Sequence, residues 1–138
     1  MNPPSRVLVD WKGDRRFEAG LEGRPSILID GDGIAAPSPP DALLAALATC
    51  VSVDVVDILA KRRTPVETYN VEVLGVRVDT VPRRFKHITL NVSITGEGIE
   101  RPHAERAIDL ALNKYCSVRD SLAADLPVVW NLSLNEPR

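Results

Sequence analysis

The chain carries two cysteines, Cys50 and Cys116, and their thiols are its most distinctive chemical groups. Cys50 lies in the sparsely charged stretch DALLAALATCVSVDVVDIL, and Cys116 lies in KYCSVRDSL, at a predicted junction between two short helices. A thiol is a nucleophile only when it is ionised, and an unperturbed cysteine has a pKa of about 8.5. The pair therefore indicates thiol redox chemistry, provided that the protein lowers the pKa of at least one thiol.

From the residues alone, Cys116 is the better candidate for the ionised thiol. It precedes the SVRDSL turn, whose free backbone N–H groups favour an anion, and Arg119 lies in that turn. Cys50 lies in an apolar helix interior, where burial raises the pKa of a thiol. If Cys50 is the attacking group, a cation from elsewhere must reach it, and the candidates are Arg15, Arg16 and Arg24. The alternative is that both cysteines are only small packing residues.

Length and charge limit the class of protein. A chain of 138 residues can bury a core of its own, so we expect a single domain over residues 1–138. Two cysteines do not make a disulfide scaffold, and the N-terminal segment lacks the apolar core of a signal peptide, so we expect a cytoplasmic protein. A net charge of -2 gives no general attraction to nucleic acid. No stretch reaches the roughly 18 apolar residues of a membrane span, because the uncharged run ends at Asp54.

Local signals predict the elements of the first half. Residues 5–30 have the strand composition and turn punctuation of a small antiparallel meander. Ser38 is a capping residue, Pro39 suits the first helical position, and Asp41 suits the first turn, so the pattern predicts a helix from about 39 to 62. This helix is apolar on nearly all sides, which favours a homodimer with the helix near the shared core.

The second half predicts two long strands, two helices and a last strand. YNVEVLGVRVDT changes its alternation across Gly75, which predicts a β-bulge there. FKHITLNVSIT alternates cleanly, and Pro102 opens an amphipathic helix whose apolar face includes Tyr115. Cys116 breaks that helix, and PVVWNLSLN closes the chain as a strand. The predicted fold class is α+β.

The two cysteine segments together resemble the OsmC/Ohr family, named for osmotically inducible protein C and organic hydroperoxide resistance. SPPDALLAALATC is similar to the motif SPxELLLAALxxC, and NKYCSV is similar to KYCSV. The resemblance covers nearly the whole chain and is closest to the broader OsmC-like branch. It implies antiparallel sheets wrapped around two central helices, in an intertwined homodimer with its sites at the subunit interface.

The resemblance also implies roles for individual residues. Cys50 would be the peroxidatic cysteine, which attacks a hydroperoxide, and Cys116 the resolving cysteine, which forms a disulfide with it. A dithiol of the lipoyl type or another would restore both thiols, and no metal or other cofactor is implied. Arg16 is our choice for activating the thiolate, ahead of Arg15 and Arg24. In the hydroperoxide-resistance branch a glutamate also prepares the thiolate, but its position aligns with Pro40 here. Asp41, one place later, is the nearest acid, and nine residues at about 100° place it on the helix face opposite Cys50. It would then serve another subunit's site or cap its own helix.

Three functions are compatible with these residues. The first is a thiol-dependent peroxidase acting on organic hydroperoxides or hydrogen peroxide. The others are a non-enzymatic OsmC-like protein that binds a small apolar ligand, and a redox sensor that forms the disulfide without recycling it. Zinc ligation by His87 and His103 with the cysteines lacks the usual ligand spacing, and a serine hydrolase would need a GxSxG motif that the sequence lacks.

The aromatic residues are expected in the core or an interface: Trp11, Phe17, Tyr69, Phe85, Tyr115 and Trp130.

Overall fold

The computed structural model describes residues 2–136 and has the predicted α+β architecture. Its elements are β1 (Leu8–Trp11), β2 (Arg16–Gly20), β3 (Ile27–Asp30), α1 (Pro39–Lys61), β4 (Thr68–Arg77), β5 (Phe85–Thr95), α2 (Arg101–Leu110), a π-helical turn (Ala111–Tyr115), α3 (Ser117–Asp120) and β6 (Val128–Leu134). Contacts group the chain into an N-terminal unit, Met1–Leu43, and a C-terminal unit, Leu44–Arg138.

The N-terminal unit contains the predicted antiparallel meander. Its strand order is β1-β2-β3, with Trp11 opposite Phe17 at one end of the first pair. The strands are four or five residues long and leave many apolar side chains exposed. Trp11 is 67% exposed, and Phe17 is also exposed, so neither is in the core of the single chain.

Helix α1 begins and ends at the predicted signals. The Ser38 hydroxyl accepts a hydrogen bond from the Asp41 N–H at 3.3 Å, and Pro39 follows the cap directly. The helix ends at Lys61, before Arg63 takes a positive φ of 65°. Four of its five buried residues repeat every four positions, and all five, including Ala48, join the main core: Leu47, Val51, Val55 and Leu59 form the repeat.

Helix α1 is long and apolar enough to cross a membrane by length and composition only, with an 18-residue window of mean hydropathy 2.1, although the sequence was expected to contain no such segment. The reason is that such a window tolerates the two charges of Asp54 and Asp57. The core helix of a soluble protein can have the same composition, and the leucines and valines of α1 do pack in a protein core.

The C-terminal unit is built on a three-stranded sheet of order β4-β5-β6. The predicted alternation of β5 is confirmed, since its core-facing residues are fully buried: Ile88, Leu90, Val92 and Ile94. β4 and β5 are antiparallel, but β6 runs parallel to β5, which the expectation of antiparallel sheets did not include.

The bulge in β4 was predicted one position too early. The register shift falls between Val76 and Arg77, whereas Gly75 stays paired with Ile88. Gly75 has a different reason for being glycine, because a Cβ there would lie 2.5 Å from the ring of Phe85. The packed ring therefore excludes a side chain at this position.

The helical segment before Cys116 is less regular than its sequence pattern predicts. Ala104, Ala107 and Ile108 of α2 are buried as expected, but the chain then forms the π-helical turn. A π-helical turn holds more residues than an α-helical one and so changes the phase of the residues that follow. Tyr115 is consequently 53% exposed instead of lying on the apolar face. Cys116 is extended, with φ -73° and ψ 104°, and ends the helix as predicted.

Candidate functional site

The two cysteine side chains meet at the start of α3. Cys50, on α1, is half-buried, and its Sγ lies 4.0 Å from the Ser117 hydroxyl oxygen. Cys116 caps α3, with its Sγ accepting a hydrogen bond from the Arg119 N–H at 3.2 Å. Both thiols are free, and each is near enough to shift the pKa of the other. Two distant sequence motifs therefore form one dithiol site.

The electrostatics of the site favour ionisation of Cys50. The backbone N–H of Val118 has the largest effect and lowers the pKa of the Cys50 thiol; partial burial opposes it. Hydrogen bonds from the Cys116 thiol and from Ser117 lower this pKa further. The donors are available because the first N–H groups of a helix have no partner within that helix.

The pKa of the Cys116 thiol is shifted in the opposite direction, upward. Cys116 is only 4% exposed, and burial raises the pKa of its thiol, with a smaller lowering effect from the Arg119 N–H and a raising effect from Cys50. The sequence-based choice of Cys116 as the more acidic thiol was therefore wrong. Free N–H groups are present at the start of α3 as predicted, but their strongest effect is on Cys50.

The guanidinium of Arg119 has a structural role in this site. It donates to the backbone carbonyls of Ala123 at 3.1 Å, Ala124 at 3.5 Å and Leu126 at 2.9 Å. The backbone N–H of Arg119, and not its charged group, contacts Cys116. The side chain therefore holds the segment after α3 against the short helix that positions both thiols.

A cleft of about 470 Å³ borders Cys116. Its walls come from the π-helical turn, α3 and the segment that follows, and include Leu112, Tyr115, Ser117, Leu122 and Ala124. A second groove of about 390 Å³ lies between α1 and β4, where Ala45, Ala48 and Ser52 face Tyr69 and Val71.

The groove between α1 and β4 contains a buried hydroxyl. Burial raises the pKa of Tyr69, partly offset by the nearby Ser52 hydroxyl. Ser52 donates to the Ala48 carbonyl at 2.6 Å, and within residues 2–136 the Tyr69 hydroxyl has no hydrogen-bond partner of good geometry. The groove therefore combines apolar walls with one unsatisfied polar atom.

The predicted arginines lie in the N-terminal unit. Arg15 forms an ion pair with Asp32 at 2.8 Å, and Arg24 is exposed. Arg16 is paired in register with Asp30 and is exposed. The activation of Cys50 by Arg16 stays a prediction, as does a catalytic role for Asp41. The side chain of Asp41 is exposed, and its backbone N–H is part of the α1 cap.

Asp30 is a buried carboxylate that the sequence reasoning missed. It is 3% exposed and accepts hydrogen bonds from the N–H groups of Ala35 at 2.9 Å, Asp32 at 3.0 Å and Ile34 at 3.2 Å. Led by the Ala35 and Asp32 bonds, these contacts lower the pKa of Asp30, and Arg16 adds a smaller effect. The signal in the sequence was the IDGDG turn, since aspartates often bond to backbone groups a few residues ahead.

The histidines do not join the cysteines. His103 contacts the guanidinium of Arg62 at 2.9 Å. In the part of the chain that the structure describes, no three histidine, cysteine or acidic side chains are grouped so that they could hold a metal ion.

Known proteins share both the sequence and the fold. The family profile for OsmC-like protein matches residues 30–131. Protein YhfA of Escherichia coli strain K12 is 42% identical over 114 residues, which cover 82% of this chain and 85% of YhfA. The crystal structure of an OsmC-like protein from Mycoplasma pneumoniae matches with a TM-score of 0.80 at 17% identity, covering 97% of this chain and 99% of that one. The organic hydroperoxide resistance protein OhrB of Bacillus subtilis matches with a TM-score of 0.61 at 15% identity, covering 93% and 96%. At these identities the two structures share a fold with this chain.

Proposed function

The chain belongs to the OsmC-like family, and we propose that it is a thiol-dependent peroxidase that reduces organic hydroperoxides or hydrogen peroxide. One observation carries the proposal: a half-buried thiol with a lowered pKa, Cys50, lies beside a second thiol, Cys116, and each shifts the pKa of the other. A nucleophilic thiolate next to a resolving cysteine is the arrangement that reversible cysteine oxidation requires. The fold shared with an organic hydroperoxide resistance protein agrees with this chemistry.

The first step is attack by the Cys50 thiolate on the terminal oxygen of the peroxide. A sulfur–oxygen bond forms as the oxygen–oxygen bond breaks, and the alcohol or water leaves after taking up a proton. Cys50 becomes a sulfenic acid. The Val118 N–H favours this step by stabilising the thiolate.

The second step is attack by Cys116 on the sulfur of the sulfenic acid. Water leaves, and a Cys50–Cys116 disulfide forms, which needs a Cα separation of roughly 4.4–6.8 Å. A dithiol reductant then supplies two electrons and two protons and restores both thiols. No metal or other cofactor takes part in this cycle.

Two variants test the proposal. Cys50→Ser should abolish peroxide consumption in the presence of dihydrolipoamide, because it removes the nucleophile. Cys116→Ser should still be oxidised once at Cys50, giving a sulfenic acid that dimedone traps. Peroxide consumption at the wild-type rate by Cys50→Ser would contradict the mechanism.

We also propose that the active form is a cytoplasmic homodimer, and that Arg16 and Asp41 contribute to its sites. The apolar surface of the single chain supports a dimer, because Trp11 and Ile27 in the N-terminal unit and Val53 on α1 are exposed. Large apolar side chains left exposed on each unit are expected at surfaces that associate. A molar mass of a single chain by light scattering at micromolar concentration would contradict it.

The groove between α1 and β4 favours a second candidate, a non-enzymatic protein that binds a small ligand. Its apolar walls and the unsatisfied Tyr69 hydroxyl suit a small apolar molecule with one hydrogen-bonding oxygen. Thiols that stay inert to stoichiometric peroxide, together with a small apolar molecule seen by native mass spectrometry, would favour this function over the peroxidase.

A further inference from the structure

We propose that the dithiol reductant opens the Cys50–Cys116 disulfide by attacking the sulfur of Cys116, so that Cys50 is the group expelled. The proposal rests on the proposed function in one respect, since it requires that this disulfide forms. It assigns the cleft beside Cys116 as the place where the reductant binds.

The shape of the site supports attack at Cys116. The cleft of about 470 Å³ is lined by Cys116, and its other walls lie between Leu112 and Ala124 in the sequence. Helix α1, which carries Cys50, contributes no wall to this cleft. Its volume is within the range of small-molecule sites. A slender dithiol in the cleft can therefore approach Cys116 without crossing α1.

The chemistry of the leaving group favours the same sulfur. In thiol–disulfide exchange, the expelled sulfur leaves faster when the pKa of its thiol is lower. The Val118 N–H lowers the pKa of Cys50, whereas burial raises the pKa of Cys116. The N–H that would prepare Cys50 for attack on a peroxide would thus also stabilise it as the leaving group.

The exchange is balanced over two steps. The first reductant thiolate forms a sulfur–sulfur bond with Cys116 as the Cys50–Cys116 bond breaks, and Cys50 departs with the electron pair. The second reductant thiol then attacks its own partner sulfur in the mixed disulfide. Cys116 is released and takes up a proton, the reductant becomes a cyclic disulfide, and the protein regains two thiols.

A mapping experiment identifies the sulfur that is attacked. The full chain is oxidised with one equivalent of diamide, which removes two electrons and two protons, and is then treated briefly with glutathione. Glutathione is a monothiol, so the mixed disulfide can be trapped early with acidic N-ethylmaleimide and located by peptide mass spectrometry. We expect glutathione on Cys116 and maleimide on Cys50. Glutathione mainly on Cys50, or shared equally, would overturn the proposal.

Two matched variants test the cleft. Ala124 lines it, whereas the neighbouring exposed residue Ala123 is outside its lining. Ala124→Trp should slow the opening of the disulfide by glutathione several-fold, and Ala123→Trp should leave the rate unchanged. Equal rates in the two variants would contradict binding of the reductant in this cleft.

The outcome can be distinguished from failure of the peroxidase proposal. Diamide makes the disulfide without peroxide, so a protein that does not reduce peroxides can still give the predicted map. If diamide cannot link the two cysteines, both proposals fall. If it links them and glutathione is found on Cys50, only the assignment of the attacked sulfur falls.

Discussion

The backbone N–H of Val118, near the start of α3, is the group that most lowers the pKa of the Cys50 thiol on α1. It makes a thiol in an apolar helix more acidic than an ordinary cysteine, although the one basic residue of that helix, Lys61, lies about three turns away. The neighbouring thiol of Cys116 is more deeply buried, and burial raises its pKa. The site thus holds two thiols whose pKa values are shifted in opposite directions, Cys50 downward and Cys116 upward.

The first prediction concerns the pH dependence of the thiols. A thiol reacts with iodoacetamide as the thiolate, which accumulates as the pH rises through its pKa. Alkylation of Cys50 in Cys116→Ser should therefore reach half its maximum below pH 8.5, the approximate value for a free cysteine. Alkylation of Cys116 in Cys50→Ser should reach half its maximum above pH 8.5. The reverse order of midpoints would show that the thiols have the opposite roles.

The second prediction isolates the backbone donors at the start of α3. Ser117 is the first residue of the helix, and Cys116 before it is extended, so proline fits at this position. Ser117→Pro removes both the N–H and the hydroxyl that favour the Cys50 thiolate, whereas Ser117→Ala removes only the hydroxyl. The pKa of Cys50, from thiolate absorbance at 240 nm in a Cys116→Ser background, should rise more in the proline variant. Equal values in both variants would mean that the Ser117 N–H has no effect.

The elements that the sequence predicted well are those specified by neighbouring residues. Ser38 and Pro39 mark the start of α1, and the alternation of β5 marks its buried face. The acidity of Cys50 could not be predicted in the same way. It depends on contact between α1 and α3, which no local spacing encodes.

Two smaller errors have the same origin. Tyr115 has the spacing of an apolar helix face, but the π-helical turn changes its phase and leaves it exposed. The bulge in β4 lies one position after Gly75, and Gly75 itself is required because the ring of Phe85 packs on it. In both cases the sequence pattern alone does not reveal the conformation, because the conformation depends on how the segment packs in the folded chain.

The third prediction concerns Arg119. Its guanidinium bonds three carbonyls after α3, and hydrogen bonds from charged groups contribute about 1.5–3 kcal/mol. Because the side chain is partly exposed, we expect Arg119→Met to lower the free energy of unfolding by only about 1–2 kcal/mol in urea titrations. The backbone N–H that contacts Cys116 remains, so Cys116 should keep its raised pKa. A variant as stable as the wild type would contradict the role of this side chain.

The fourth prediction tests the packing at Gly75. Gly75→Ala places a methyl group against the ring of Phe85, and overpacking of this kind costs about 1–3 kcal/mol. Phe85→Leu removes part of the ring and should make Gly75→Ala less costly, which a double-mutant cycle in urea measures. Additive effects of the two substitutions would mean that the ring is not what excludes a side chain here.

The fifth prediction follows from the buried carboxylate of Asp30. Its pKa is lowered in the folded protein, chiefly by the Ala35 and Asp32 N–H groups. A carboxyl group of this kind contributes stability above its unfolded pKa of about 3.9, and that contribution is lost as the pH falls through the folded value. Asp30→Asn keeps one acceptor oxygen but cannot ionise, so its free energy of unfolding should fall less than that of the wild type between pH 6 and pH 3. Asp32→Asn, at an exposed position of the same turn, is the matched control and should keep most of the wild-type dependence. Parallel pH profiles for Asp30→Asn and the wild type would show that the charge of Asp30 does not stabilise the turn.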